Sequence, residues 1–225
     1  EDLSVTLPYD RITGRIRATG KLELEVVHPW NEAQTGDLIA VFSTYYDPEQ
    51  TTQTQIGRLH NIMQGVERLN DVIVPSGEKF YFNDYCAPYT KSNGYEMGPI
   101  VNYVSSQKLG YGGGICQVST TLYNAVIRAE LEVTERSGHS MIVNYVDPSA
   151  DAAIAGEYKD FKFKNSTEAP IYIESYANGT TISFTIYGQE TRPANRSISF
   201  VSETLSTTDP GVKFQESSDA VGTIS

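Results

Sequence analysis

Hydrophobic and polar residues alternate with period two over several stretches of the chain, and this alternation predicts β-strands. The clearest stretches are residues 21–27, 160–164, 170–177 and 180–188. Between the last two stands Asn178-Gly179, a pair that favours a tight hairpin turn. The pattern therefore predicts antiparallel pairing in the second half of the chain.

Other stretches predict strands by composition. The continuous apolar start of residues 38–46 indicates a strand that is buried on both faces. Residues 72–85 predict a strand, a Pro-Ser-Gly turn and a second strand. Further strands are expected within residues 100–104, 140–146 and 198–205.

Two stretches show the spacing of amphipathic helices. In residues 55–71, apolar side chains recur at helical spacing, as expected for a helix with one buried face. The second helix is predicted to begin at the glycine run Gly112 to Gly114, because three glycines favour a turn. The apolar stripe of this second helix consists of Val118, Leu122, Ala125, Val126 and Ala129. Strands on both sides of two main helices predict an α+β fold with a mixed or antiparallel sheet.

Composition divides the chain into three parts. Residues 1–37 are interpreted as a β-rich entry or the tail of a preceding domain, and residues 38–189 as the main domain. Residues 190–225 are interpreted as a linker with one peripheral strand, which is either the end of the chain's ordered part or the start of a further domain. The chain begins at Glu1 without a leader pattern, so a fragment of a longer product is expected.

The charge balance argues against polyanionic partners. The chain has 17 basic and 28 acidic residues, a net charge of −11, whereas nucleic-acid binding depends on neutralising phosphates. An apolar run near the roughly 18 residues of a membrane span is absent from the sequence. We therefore expect neither a nucleic-acid partner nor an integral membrane segment, and the residue spacing predicts no metal or cofactor.

Chemistry is predicted at Cys116, in the first turn of the second helix. Free amides and the positive end of the helix dipole favour a thiolate there, which predicts a lowered thiol pKa. Bare glycine backbone also suits a developing oxyanion. On the polar face of the same helix, Ser119 or Thr120 and then Tyr123 are expected next to the cysteine.

A cysteine nucleophile needs a base, and His139 is the best placed of the three histidines. Asp147 and Asp151 are the nearest downstream acids that would orient its imidazole. The bland alternative is an inert thiol, or a disulfide between Cys116 and Cys86, which the two-cysteine count leaves open.

The string GGGICQVSTTLYNA, followed by ERSGHS and NYV, resembles the core motif of the VanW family, a bacterial cell-envelope domain found in vancomycin-resistance gene clusters. The resemblance covers roughly residues 38–189 and includes Arg58. Two departures stand out: Tyr81 replaces an expected serine, and the segment from Ser149 lacks the glycine usual before the aspartate. Among the acids, the resemblance favours Asp151.

The resemblance implies a role in the peptidoglycan outside a bacterial cell. Family members have been linked to L,D-transpeptidation, the cross-linking of stem peptides through a cysteine acyl-enzyme. On this hypothesis Cys116, His139 and Asp151 are catalytic, and the substrate or oxyanion is bound by a larger group, namely Gly113, Gly114, Gln117, Ser119, Thr120, Tyr123 and Arg58. The alternative is a non-catalytic envelope module that binds stem peptides or a glycopeptide.

Overall fold

The structure is a computed structural model that describes residues 15–18, 24–27, 36–46, 52–100 and 108–206. Strand pairing among these residues is antiparallel throughout, and helices pack against the largest sheet. The predicted α+β class with two main helices is therefore confirmed.

The helices of the described residues are α1 (Gln53–Leu69), α2 (Phe82–Cys86) and α3 (Ile115–Arg128). The strands are β1 (Arg15–Ala18), β2 (Leu24–Val27), β3 (Asp37–Tyr45), β4 (Val72–Val74), β5 (Lys79–Tyr81), β6 (Met97–Ile100), β7 (Lys108–Tyr111), β8 (Glu132–Glu135), β9 (Lys162–Lys164), β10 (Ile171–Ala177) and β11 (Thr181–Gly188).

The central sheet has the strand order β3-β11-β10-β4, and α1 and α3 cover one of its faces. Ile182, Phe184 and Ile186 of β11 point into the core between the sheet and the helices, and each is fully buried. The hairpin predicted at Asn178-Gly179 is confirmed, since Ala177 pairs with Ile182 across it. A smaller sheet, β5-β9-β8, extends the core through stacked aromatic rings.

Strand β3 corrects one prediction. Its side chains alternate between the two faces, with Ala40 and Thr44 buried and Val41 and Tyr45 exposed. The prediction of burial on both faces was wrong because, in the described part of the chain, helices cover one face of this sheet, and Val41 and Tyr45 on the other face are exposed. An apolar run by itself does not reveal whether a second layer exists.

Both main helices follow their sequence signals. Helix α1 begins with a capping box, in which the Thr52 hydroxyl accepts from the Gln55 N–H and the Thr52 N–H donates to the Gln55 side chain. Its inner face buries Ile62, Val66 and Leu69. The predicted apolar stripe of α3 is buried along its whole length.

Within the described residues, one predicted strand was too long and two others were wrong. The second half of residues 72–85 forms β5 and then α2, whose start is capped by the Asp160 carboxylate accepting from the Asn83 N–H. Residues 140–146 and 198–205 form no strand, because no neighbouring strand pairs with them. The strand predicted within residues 100–104 overlaps β6 at Ile100, and the rest of the predicted strand lies outside the described residues.

Backbones approach closely where α1, β6 and the glycine turn meet. A Cβ atom at Gly57 would lie 2.2 Å from the Met97 carbonyl oxygen, and one at Gly113 would lie 2.6 Å from the Gly98 carbonyl carbon. Asn61 of α1 connects the three segments, since its amide donates to the carbonyls of Glu96 and Gly113 and its oxygen accepts from the Glu96 N–H. These contacts hold the backbone of the glycine turn, which directly precedes α3 in the chain.

We predict that Gly57→Ala destabilises the protein by about 1–3 kcal/mol, as overpacking of a tight contact does. Helix propensity alone would favour alanine by about 1 kcal/mol, so the contact with Met97 decides the sign. Urea unfolding measures the difference. The control is Gly179→Ala, where no atom lies within 4 Å of the added carbon; a gain in stability for Gly57→Ala would contradict the prediction.

Candidate active site

The glycine turn sets the start of α3. Gly114 is the N-cap residue and has a φ of 106°, a left-handed conformation that disfavours side chains. Cys116 follows as the second residue of the helix. Two amides of this turn are already used, because the Ile115 N–H donates to the Gly112 carbonyl and the Gln117 N–H to that of Gly114.

The polar face of α3 is covered by residues 150–154, here called the covering segment. The Ser119 hydroxyl donates to the Ala152 carbonyl (2.6 Å), and the Thr120 hydroxyl accepts from the Ala152 N–H (2.9 Å). One helical turn further, the Asn124 amide donates to the Ala150 carbonyl (2.7 Å). Ser119 and Thr120 were predicted beside Cys116 as substrate-binding residues; they are fully buried and hold the covering segment.

The thiol of Cys116 contacts the end of the covering segment. Its Sγ accepts from the Ile154 N–H and donates to the Ile154 carbonyl, each at 3.4 Å. Burial raises the pKa of the thiol, against the smaller opposing effects of the Ile154 N–H and the Lys159 ammonium. The predicted lowering of this pKa was wrong, because desolvation outweighs the stabilisation of a thiolate at the helix start.

The two cysteines are not joined. Cys86 and Cys116 are both free, so the disulfide alternative is excluded for this structure. Cys86 lies in the core at the end of α2, where burial raises its pKa to about 12. As a residue Cys116 is half-buried, whereas Cys86 is fully buried.

His139 and Asp151 lie in direct contact, as the resemblance implied. Nδ1 of His139 is 2.5 Å from the Asp151 carboxylate, which also accepts from the His139 N–H (2.6 Å) and from the Arg136 guanidinium (2.9 Å). Burial opposes ionisation of Asp151, but these contacts outweigh it and lower its pKa. A carboxylate so held fixes the orientation of the imidazole and leaves Nε2 turned away from it.

The dyad and the thiol share the covering segment. Asp151 stands three residues before Ile154, so their Cα atoms are at most about 11 Å apart. Within the described residues, no hydrogen bond joins the thiol to the imidazole; the thiol bonds to Ile154 and the imidazole to Asp151. The His139–Asp151 pair is thus linked to the thiol through the charge of Asp151, which contributes to the raised pKa of Cys116, and not through a hydrogen bond among the described residues.

Gln117 is buried rather than turned towards a ligand. Its amide donates to the Thr44 hydroxyl and the Tyr45 carbonyl, each at 3.0 Å, and accepts from the Arg58 guanidinium. Tyr123 is half-buried, with its ring edge-on to Phe161. Of the predicted binding residues, these two serve mainly to connect α3 to its surroundings.

Three residues near Cys116 were not predicted for the site. Tyr145 was assigned to a strand, yet its phenol interacts with the Cys116 thiol, the Thr120 hydroxyl and Arg58, and burial raises its pKa. The NYV string was the available signal for it. Ile154 and Lys159 carried no signal, because one acts through its backbone and the other is placed by a turn.

Comparison with known proteins supports the resemblance. The family described as VanW like protein matches residues 57–187. Bacillus subtilis YoaR, an uncharacterized protein, is 32% identical over 170 residues, covering 76% of this chain and 53% of YoaR. The vancomycin B-type resistance protein VanW of Enterococcus faecalis is 26% identical over 125 residues, covering 53% of this chain and 45% of that protein.

The chain spans about half the length of these two relatives. No solved structure matches it. Among the described residues, none of the helices combines the length and the apolar character that crossing a membrane requires.

We predict that alkylation of Cys116 follows a thiol pKa above its ordinary value of 9.0. The rate with iodoacetamide should rise through alkaline pH without a plateau near neutrality, since only the thiolate reacts. A Cys86→Ala background restricts the signal to Cys116. A plateau below pH 8 would contradict the expectation and show a stabilised thiolate.

Stability should depend on Asp151 at acid pH. Its pKa is lower in the folded protein than in the unfolded chain, so its contribution is complete above about pH 4 and is lost as pH falls through the folded value. Wild type should therefore exceed Asp151→Asn in unfolding free energy near neutral pH, and the gap should shrink below pH 4. Asp147→Asn, at an exposed carboxylate, is the control; a gap independent of pH would refute the assignment.

Proposed function

Because the chain belongs to the VanW family, we propose that it is a peptidoglycan-modifying acyltransferase of the bacterial cell envelope, of the L,D-transpeptidase type. One observation carries this proposal. The segment that contacts the Cys116 thiol at Ile154 also carries Asp151, the carboxylate that orients His139. A thiol at a helix start, contacted by the same segment that carries the carboxylate orienting an imidazole, is an arrangement suited to cysteine acyl transfer.

In this proposal, Sγ of Cys116 attacks a carbonyl of a donor stem peptide. Nε2 of His139 takes the thiol proton, since Nδ1 faces Asp151, and passes it to the amine that leaves as the peptide bond breaks. The resulting thioester is attacked by an amine of a second stem peptide, which releases the thiol. Backbone amides at Gly113 and Gly114 would receive the oxyanion.

The raised thiol pKa specifies how the first step proceeds. The resting sulfur is protonated near neutral pH, so the imidazole must remove the proton during attack rather than beforehand. As the proton leaves, the Ile154 N–H already points at the sulfur and stabilises the negative charge. Binding of the donor has to bring the imidazole to the thiol, because the two are not bonded at rest.

A non-catalytic module that binds stem peptides or a glycopeptide is the second candidate. The observation in its favour is that the thiol bonds to the covering segment as the hydroxyls of Ser119 and Thr120 do. Its raised pKa also agrees with a structural thiol. In that function the glycine turn before Cys116 forms part of a ligand cradle.

Cys116→Ala separates the two candidates. With purified tetrapeptide muropeptides, the acyltransferase proposal predicts that formation of cross-linked product falls by about 10³-fold or more, whereas the protein stays folded. Product is quantified by chromatography with mass spectrometry. Intact-protein mass spectrometry of the wild type is used to detect an acyl adduct on Cys116. Cys86→Ala is the matched control and should retain activity. Unchanged product in Cys116→Ala would sink the acyltransferase and leave the binding module.

A further inference from the structure

Arg58 of α1 lies beside the start of α3. Its Cγ is 3.1 Å from the position that a Cβ on Gly114 would occupy, two residues before Cys116. Its guanidinium donates from Nη2 to the side chain of Gln117, the residue directly after Cys116. The charged group is thus anchored at the turn that carries the thiol.

The positive charge of Arg58 has no carboxylate partner within ion-pair distance among the described residues. Arg136 pairs with Asp151, and both Arg192 and Arg196 pair with Glu130. Arg68 also lacks a carboxylate, but it donates to three oxygens of the protein. Among the described residues, the hydrogen-bond acceptor of the Arg58 guanidinium is the side-chain oxygen of Gln117.

An incompletely paired cation that is partly buried is costly, because water is removed from it without full replacement. Burial lowers the pKa of Arg58, but the group stays charged at any physiological pH. The aromatic ring of Tyr46 lies 5.8 Å from its central carbon, and the phenol of Tyr145 also interacts with it. These neutral neighbours shape a site around the guanidinium without neutralising it.

The net negative charge of the chain makes the positive charge of Arg58 stand out as a site for an anionic ligand. With 28 acidic and 17 basic residues, most of the surface repels an anion. At the turn before Cys116, however, stands Arg58, and the Lys159 ammonium, which donates to the Gly138 carbonyl at 3.2 Å, interacts with the sulfur. The Asp151 carboxylate also acts on the sulfur, but Arg136 neutralises its charge. An anionic group is therefore favoured beside Cys116.

We propose that Arg58 binds the C-terminal carboxylate of the acyl donor, through the guanidinium donors that Gln117 does not use. The planar guanidinium matches a carboxylate with two parallel hydrogen bonds. The site would then select donors whose scissile bond is the last peptide bond, and the released residue would leave with its carboxylate. This inference rests on the proposed function for the identity of the ligand, but recognition needs no thiol.

The test measures binding in Cys116→Ala protein, where no reaction occurs. Calorimetry compares a tetrapeptide stem with a free C-terminal carboxylate and the same peptide as a C-terminal carboxamide. The acid should bind about 10- to 100-fold more tightly, the range expected for charge-assisted hydrogen bonds. Equal affinities, or no binding of either peptide at millimolar concentration, would overturn the proposal.

A variant at Arg58 assigns the preference. In Arg58→Gln, added to the Cys116→Ala background, the affinity for the acid peptide should fall to that for the carboxamide peptide. In Arg58→Lys part of the preference for the acid peptide should remain. Lys79→Gln removes one exposed positive charge on β5 and should change neither affinity. A preference for the acid that persists in Arg58→Gln contradicts the assignment. Should Arg58→Gln fail to fold, the acid–amide comparison and Arg58→Lys decide.

The two proposals fail separately. An acid preference that depends on Arg58, in a chain whose wild type forms no acyl adduct, would leave carboxylate recognition standing and remove the acyltransferase. Cross-linking activity with equal use of acid and amide donors would do the opposite.

Discussion

The polar face of α3 and the backbone of the covering segment hold each other in place, and the candidate site depends on that contact. A segment without secondary structure has backbone N–H and C=O groups that need partners once they are buried. Here Ser119, Thr120 and Asn124 supply those partners at successive helical turns. The opposite face of the same helix is apolar and packs on the central sheet. One helix therefore fixes both the core and an irregular segment.

This contact has a chemical consequence at each end. At Ile154 the backbone meets the Cys116 sulfur, which removes water from the thiol and supplies an N–H that stabilises a thiolate. At Asp151 the carboxylate bonds to His139 and Arg136. One short stretch of backbone thus contacts the Cys116 thiol and carries the carboxylate of the His139–Asp151 pair. Because the same contact buries the sulfur and raises its pKa, the thiol is protonated near neutral pH.

The glycine turn and Arg58 belong to the same arrangement on the other side. Close backbone contact between α1, β6 and the turn requires Gly57 and Gly113, because a side chain at either position meets backbone atoms. The same closeness brings Arg58 to Gln117. A cation at the turn that leads into α3 is therefore a result of how tightly α1 packs there.

The sequence by itself determined the two main helices, all four strands of the central sheet and the position of the thiol at a helix start. These features depend on local periodicity, on glycines that only a turn accommodates, and on a motif that names a family. Sequence also indicated His139 and, through the resemblance, Asp151. Local sequence patterns were therefore sufficient to predict these elements.

Only the tertiary structure decided what surrounds each group. Periodicity did not show that Val41 and Tyr45 on one face of β3 are exposed, or that residues 140–146 pair with no strand of the described chain, because both depend on segments far away along the chain. The pKa of Cys116 rises for the same reason: the helix start is visible in the sequence, whereas the covering segment that desolvates the sulfur is not. Burial and pairing are properties of the assembled fold, and here they set the chemistry.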